Sequence, residues 1–250
     1  MSARTGPTTG TTAGPTTGQP LSRRERLRAE TTREITTIAM RQMAAEGPGA
    51  ISLRGIAREM GMTARAIYSY FATRDDLVTA LVDEISASLA DALEKARDAV
   101  PATDPAGRLV AWGLALREWA LANPEGFRLI YGDPVPGYTP PDDGPAAEAA
   151  RRICCGLNRL VAEVHAPNTP VGGLFDWSDF APSYLAKIQA DPLSLSPSVV
   201  ALALRVWGRL HGLVTLEIYG HLRAVCNDPA TLYRAEILGL AGSPGTVPTP

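Results

Sequence analysis

Cysteine and histidine are scarce in this chain, lysine is nearly absent, and no stretch alternates in the manner of a strand. The three cysteines, Cys154, Cys155 and Cys226, are too few for a disulfide framework. The three histidines, His165, His211 and His221, lie apart, without partners at metal-ligand spacing. No metal and no cofactor is expected. Two lysines stand against twenty-two arginines, an imbalance that points to a GC-rich genome and carries no function. With no hairpin signal and no strand to lead into a glycine-rich loop, phosphate-cradling nucleotide motifs are absent, as is any catalytic constellation. An enzyme is not expected. The start, MSARTGPTTGTTAGPTTGQP, lacks the apolar core of a signal peptide, so the expected location is the cytoplasm.

What is present is helical patterning and an uneven charge. At 250 residues with 45% hydrophobic and 20% charged side chains, the chain has material for one large or two small cores. The net charge of −2 alone argues against a nucleic-acid partner. Its distribution points the other way: ten arginines and five acids fall between Arg23 and Arg74, and residues 75–250 are acidic. A basic head on an acidic body is the footprint of a local phosphate-binding surface.

Within the head, residues 51–81 read ISLRGIAREMGMTARAIYSYFATRDDLVTAL. Ser52 is a good N-cap, and Leu53, Ile56, Ala57 and Met60 follow as one apolar stripe. Gly61 ends that helix through the left-handed conformation. Thr63 caps a second helix over residues 63–70, with Ile67 and Phe71 inward and Thr63, Ala64, Arg65, Tyr68 and Ser69 outward. Thr73 with Asp75 and Asp76 opens a third, its acids at the positive end of the helix dipole. Two short helices, a glycine turn and an outward face of Arg, Tyr and Ser describe a helix-turn-helix. A buried helical hairpin would have no use for Arg54, Arg58, Arg65 and Arg74 around so short a turn.

GIAREMGMTARAIYSYFATRDDL also resembles the DNA-binding signature of TetR-type transcriptional regulators. The matching positions are Ile56-Ala57, Gly61-Met62, Ile67-Tyr68, Tyr70-Phe71 and Arg74, with Arg74 standing where Lys is usual. The resemblance implies that Arg54, Ala64, Arg65, Tyr68, Tyr70 and Arg74 face DNA. Arg54 and Arg65 are expected at base edges, since Arg to guanine is the commonest specific contact. Ser52, Thr63, Tyr68, Tyr70 and Arg74 are expected mainly at phosphates.

Along the rest of the chain, residues 1–21 are expected to be a disordered arm. Residues 22–46 form one amphipathic helix with a Ser22/Glu25 capping box. A long helix over residues 73–99 leaves the head and enters the body, where helices over 105–122, 124–131, 145–165 and 181–190 are separated by proline-rich breaks. Asp133–Gly144 is a loop by its four prolines. Residues 196–225 are apolar almost all round, hence core or membrane. Arg205, Arg209, His211 and Glu217 in the middle would be costly in lipid, so core is expected and no membrane. Residues 228–240 form a last helix before a tail. The fold expected is all-α: a helix-turn-helix DNA-binding domain over 22–75, a helical ligand-binding and dimerisation body over 76–241, and a disordered tail over 242–250.

The segments RVWGRLHGLVTLEIYGHL and REWALANPEGFRLIYGDPVPGY resemble the body of a TetR subgroup with a C-terminal Trp-His-Gly segment, matched by Trp207, His211, Gly212, Glu217 and Gly220. The resemblance implies a homodimer. Gly208, Gly212 and Leu216 are expected at the dimer face, the two glycines near a close helix crossing within the chain or across the dimer. Trp112, Trp119, Phe127, Tyr131 and Trp207 are candidates for an apolar pocket holding an unknown small-molecule effector, with ordinary core packing an equal reading of each. The function expected is a one-component bacterial regulator, most plainly a repressor of palindromic operator DNA released by that effector. Two rivals stand beside it. One is a thiol redox sensor, since Arg151 and Arg152 could lower the pKa of the Cys154-Cys155 thiols. The other is an architectural DNA-binding protein.

Overall fold

The computed structural model describes residues 22–165, 175–189 and 195–242, and every regular element among them is helical. The N-terminal arm, residues 243–250 of the tail and parts of two body loops lie outside the described residues. The head begins with α1 (Arg23–Glu46), whose Ser22/Glu25 capping box is formed as the sequence requires. A 3-10 turn at Pro48–Ala50 leads to α2 (Leu53–Glu59) and α3 (Ala64–Ile67). Gly61 takes φ 67°. There the Met62 amide reaches the Ala57 carbonyl and the Gly61 amide that of Arg58, the paired bonds that close a helix on a left-handed residue. α3 is shorter than the pattern suggests. Beyond Ile67 the chain continues as tight turns, with Tyr70 and Phe71 still donating to the Ile67 carbonyl.

α4 (Arg74–Asp98) starts on a Thr73/Asp76 capping box and runs through both halves of the molecule. Its first turns put Leu77, Val78 and Leu81 into the head core with Ile35, Ile56, Ile67 and Phe71. Its last turns put Leu89 and Leu93 into the body core. Ile85 touches both. The head core therefore extends past residue 75, and it also receives Leu129 and Val135 from the body. Each fully buried Leu or Ile of this kind contributes on the order of 1.5–3 kcal/mol, enough to make the junction stiff.

The body is α5 (Pro105–Ala122), α6 (Pro124–Tyr131), α7 (Pro145–Val164), α8 (Pro182–Gln189), α9 (Pro197–Ile218) and α10 (Pro229–Gly242). All six carry Pro in the first turn, where its missing N–H is no loss. α9 stops seven residues short of the expected Val225. Gly220 adopts φ 79°, the His221 amide bonds the Leu216 carbonyl, and the Gly220 amide bonds that of Glu217. The Gly-His pair thus closes α9 as Gly-Met closes α2. A close helix crossing lies at Gly113 of α5, where an added Cβ would sit 1.8 Å from Ile237 Cδ1 of α10. Tyr233 donates a 2.8 Å hydrogen bond to the Gly113 carbonyl at the same place.

Candidate nucleic-acid interface and effector cavity

The head presents one outward face. Ile56, Ala57 and Ile67 anchor α2 and α3 inward at 2% exposure or less, which turns Arg54, Thr63, Ala64, Arg65 and Tyr68 to solvent. Ser52 Oγ accepts from the Gly55 amide, and Thr63 Oγ1 from the Ala66 amide. Both hydroxyls are therefore helix caps first, each fixing the entry of its helix. Among the described residues, neither Arg54 nor Arg65 is paired with a carboxylate. Two charged donors on rigid elements are left for another molecule.

Two of the expected contacts sit differently. Tyr70 is half-buried, its ring under the Arg28 guanidinium at 4.8 Å, while Arg28 also donates to the Ser69 carbonyl; α1 thus braces the turn after α3. Arg74 turns into the protein: Nε donates to the Ile51 carbonyl (3.0 Å), one terminal nitrogen to Pro48 (3.2 Å) and the other to Pro136 (3.2 Å). Its side chain is 28% exposed. The family resemblance sets Arg74 among the phosphate contacts, and the three carbonyls that engage it here come from distant segments that leave no local sign in the sequence.

In the body, an apolar cavity of about 210 Å³ opens between α6, α7, α8 and α9. Tyr131 and Trp207 line it directly. Behind them Trp112 stands edge-on to Trp207 at 6.2 Å, and Phe127 tilts against Tyr131 at 5.2 Å. His211 lies among Phe127, Tyr131 and Trp207 at 4.8–5.2 Å. Four of the five expected aromatics thus gather in one cluster, of which two reach the cavity. Trp119 is placed apart, donating to Ser88 Oγ of α4 at 3.0 Å.

The opposite wall is Tyr184 of α8 with Ile153, Cys154, Leu157 and Asn158 of α7, and the sequence reading misses the part that α7 supplies. The available signal is two apolar and two polar side chains at i, i+4 on one helix face. Asn158 Nδ2 is 3.7 Å from Cys154 Sγ, which is 3.5 Å from the Tyr184 hydroxyl. Burial raises the pKa of the Cys154 thiol and of the Tyr131 and Tyr184 hydroxyls, and lowers that of His211. The cavity is therefore uncharged near neutral pH. A thiol held protonated by burial is a poor redox sensor. Cys155 is buried, with its Sγ 3.8 Å from the Lys187 carbonyl.

A larger cleft of about 560 Å³ lies alongside, between α4, the loop after α6 and α7. It shares Tyr131, Ala150 and Ile153 with the first cavity. Several apolar side chains of α9 and α10 are exposed, including Leu204, which also borders the first cavity, Leu216, Leu232 and Leu238. Gly208 and Gly212 open onto empty space, with nothing within 4 Å of an added Cβ, so no crossing among the described residues uses them. α9 is long and apolar enough by composition to cross a membrane. Its Val200, Val206, Leu210 and Val214 instead are buried inside the body, and its Glu217 forms a two-bond ion pair with Arg117 (2.6 and 2.8 Å).

Comparison with known proteins agrees at both ends of the molecule. The family model "Bacterial regulatory proteins, tetR family" matches residues 35–81, and "Tetracyclin repressor-like, C-terminal domain" matches residues 109–240. The HTH-type transcriptional regulator Rv1816 of Mycobacterium tuberculosis is 30% identical over 222 residues, covering 86% of this chain and 93% of the relative. Among solved structures, the regulatory protein SCO4313 superposes with a TM-score of 0.69 at 33% identity, covering 89% of this chain and all of the other. A bacterial regulatory protein in the tetR family from Rhodococcus RHA1 shares the fold at 20% identity, with a TM-score of 0.62 over 86% of this chain and 99% of the other.

Proposed function

The chain belongs to the TetR family of bacterial regulatory proteins, and we propose that within it the protein is a one-component cytoplasmic repressor that binds palindromic operator DNA and is released by a small apolar molecule. Regulators of this family bind DNA, dimerise and are not enzymes. In this reading residues 22–75 are the DNA-binding head and 76–241 the ligand-binding and dimerisation body. The observation that carries it is the pairing of two features on one rod. The head has a rigid outward face of Arg54, Thr63, Ala64, Arg65 and Tyr68. The body has an uncharged cavity walled by Tyr131, Trp207, Leu157 and Tyr184. α4 joins them.

The dimer forms through the apolar face of α9 and α10, with Gly208 and Gly212 allowing the partner helix to approach and Leu216 packing across the axis. Two heads then read half-sites separated by one helical turn, roughly 34–36 Å, or a multiple of it. The ligand is neutral, because the described residues that line the cavity carry no charged side chain and burial of an uncompensated charge is costly. Selecting bound fragments from the native genome and footprinting them tests the whole reading. A repressor protects a few palindromic sites upstream of genes, whose transcription rises when it is deleted. Uniform coating of random genomic DNA overturns it in favour of an architectural protein.

A further inference from the structure

We propose that Arg74 is a positioning residue that pins the 133–144 loop of the body to the DNA-reading head, so that an occupant of the cleft behind that loop is felt at α2 and α3 through one guanidinium. The inference rests on the reading of the head as the DNA-binding part.

The geometry is that of a three-way tie. The Pro48 and Ile51 carbonyls belong to the short segment that delivers the chain to the Ser52 cap of α2, and the Pro136 carbonyl belongs to the loop between α6 and α7. A guanidinium carries five N–H donors in a rigid plane. Three are taken here by carbonyls from two segments, and Asp75 Oδ1 stands 3.7 Å from the terminal nitrogen that bonds Pro136. An ammonium is a compact point donor on a flexible stem and cannot span the three together.

The loop is fastened at two further points. Val135 is buried in the head core, and the Tyr138 hydroxyl is 3.1 Å from Thr79 Oγ1 of α4. Val135 and Tyr138 are also walls of the cleft of about 560 Å³, facing Ala147 and Ala150 of α7. The same residues therefore close the head on one side and the cleft on the other. Hydrogen bonds fail steeply beyond roughly 3.2–3.5 Å. A loop displaced by about that margin must either carry Arg74, Pro48 and Ile51 with it or release them.

Three measurements decide the matter. The first is the salt dependence of binding to a short random-sequence duplex. A phosphate contact predicts that Arg74→Ala lowers the slope by about one per protomer and that Arg74→Lys restores it. A pin predicts an unchanged slope in both variants. The second fills the cleft without any ligand. Ala147→Trp should weaken operator binding severalfold when Arg74 is present and add nothing in the Arg74→Ala background; equal effects in the two backgrounds overturn the proposal. The third needs no DNA. In Arg74→Lys, at an unchanged melting temperature, amide exchange should quicken both at Ile51 and Ser52 and at Val135, Gly137 and Tyr138; quickening on one side alone overturns it. A chain that binds no DNA in the first assay refutes the functional reading, and the exchange measurement still decides the pin.

Discussion

Arg54 and Arg65 differ from Arg28, Arg41 and Arg74 in what surrounds them. Arg28, Arg41 and Arg74 are engaged by Ser69 and Tyr70, by Glu59, and by three backbone carbonyls respectively. Arg54 and Arg65 stand on α2 and α3 with their donors turned outward. Arg65→Ala is expected to weaken operator binding by roughly 1–3 kcal/mol and to relax preference at one base pair, read by titrating the variant against single-position operator changes. Unchanged affinity and preference would remove Arg65 from the contact set. These two residues are legible in the sequence because a cap, a glycine stop and a stripe period determine which side chains face out. The bond of Arg74 to Pro136 and that of Cys154 to Tyr184 are not, because the partners lie 62 and 30 residues away.

His211 gives a residue-scale expectation of another kind. Its imidazole is desolvated among Phe127, Tyr131 and Trp207, and burial lowers its pKa below the ordinary 6.5. The unfolded chain then binds a proton that the folded one resists, so stability falls as pH drops below the unfolded value and toward the folded one. Thermal unfolding between neutral pH and the mildly acid range should show a declining midpoint. His211→Gln should flatten part of that decline. His165, also lowered by burial, accounts for a remainder of the same sign. The carboxylates held low, such as Asp98 beside Arg97 and Asp228 beside Thr231, act only at more acid pH.

At the scale of elements, the starts of the helices are the most readable feature and their ends the least. Ser22, Ser52, Thr63 and Thr73 each cap the helix the sequence assigns to them, because a cap is a local event. The end of α9 depends on seeing Gly220 as a stop within an apolar run. The position of the close crossings depends on which helices meet. Gly113 is pressed against Ile237, although it is Gly208 and Gly212, four apart within a long apolar helix, that stand out in the sequence. Among the described residues no helix comes close to either; in the proposed dimer the partner helix would fill that space. Leu216→Glu would place a charge in the middle of that face, on a side chain now 40% exposed in the single chain. Sedimentation at micromolar concentration should then show monomers where the parent shows dimers, with operator binding lost and helix content kept. A dimer that survives Leu216→Glu moves the interface elsewhere.

At the scale of the whole molecule, the proposed function requires that occupation of the body change the spacing or tilt of two heads that must fit one groove pattern. α4 places Leu77 and Leu81 in one core and Leu89 and Leu93 in the other, so neither end moves without disturbing packed side chains. The loop after α6 adds a second connection at Val135 and Tyr138. A ligand shifts this balance only by its difference in affinity between the DNA-bound and released shapes, and a hundredfold loss of DNA affinity corresponds to about 2.7 kcal/mol of coupling, inside the range of roughly 1–3 kcal/mol. Coupling of that size is reciprocal. A compound that releases DNA must bind the free protein more tightly than the complex by the same factor, and calorimetry on the two forms measures both. The cavity wall then assigns the response to residues. Tyr131 and Trp207 line the space, whereas Trp119 donates to Ser88 of α4, away from it. Trp207→Ala should reduce release while leaving ligand-free DNA binding intact, and Trp119→Phe should leave both unchanged. The opposite pattern would move the effector site away from Tyr131 and Trp207 and leave the cavity as a packing gap beside the body core.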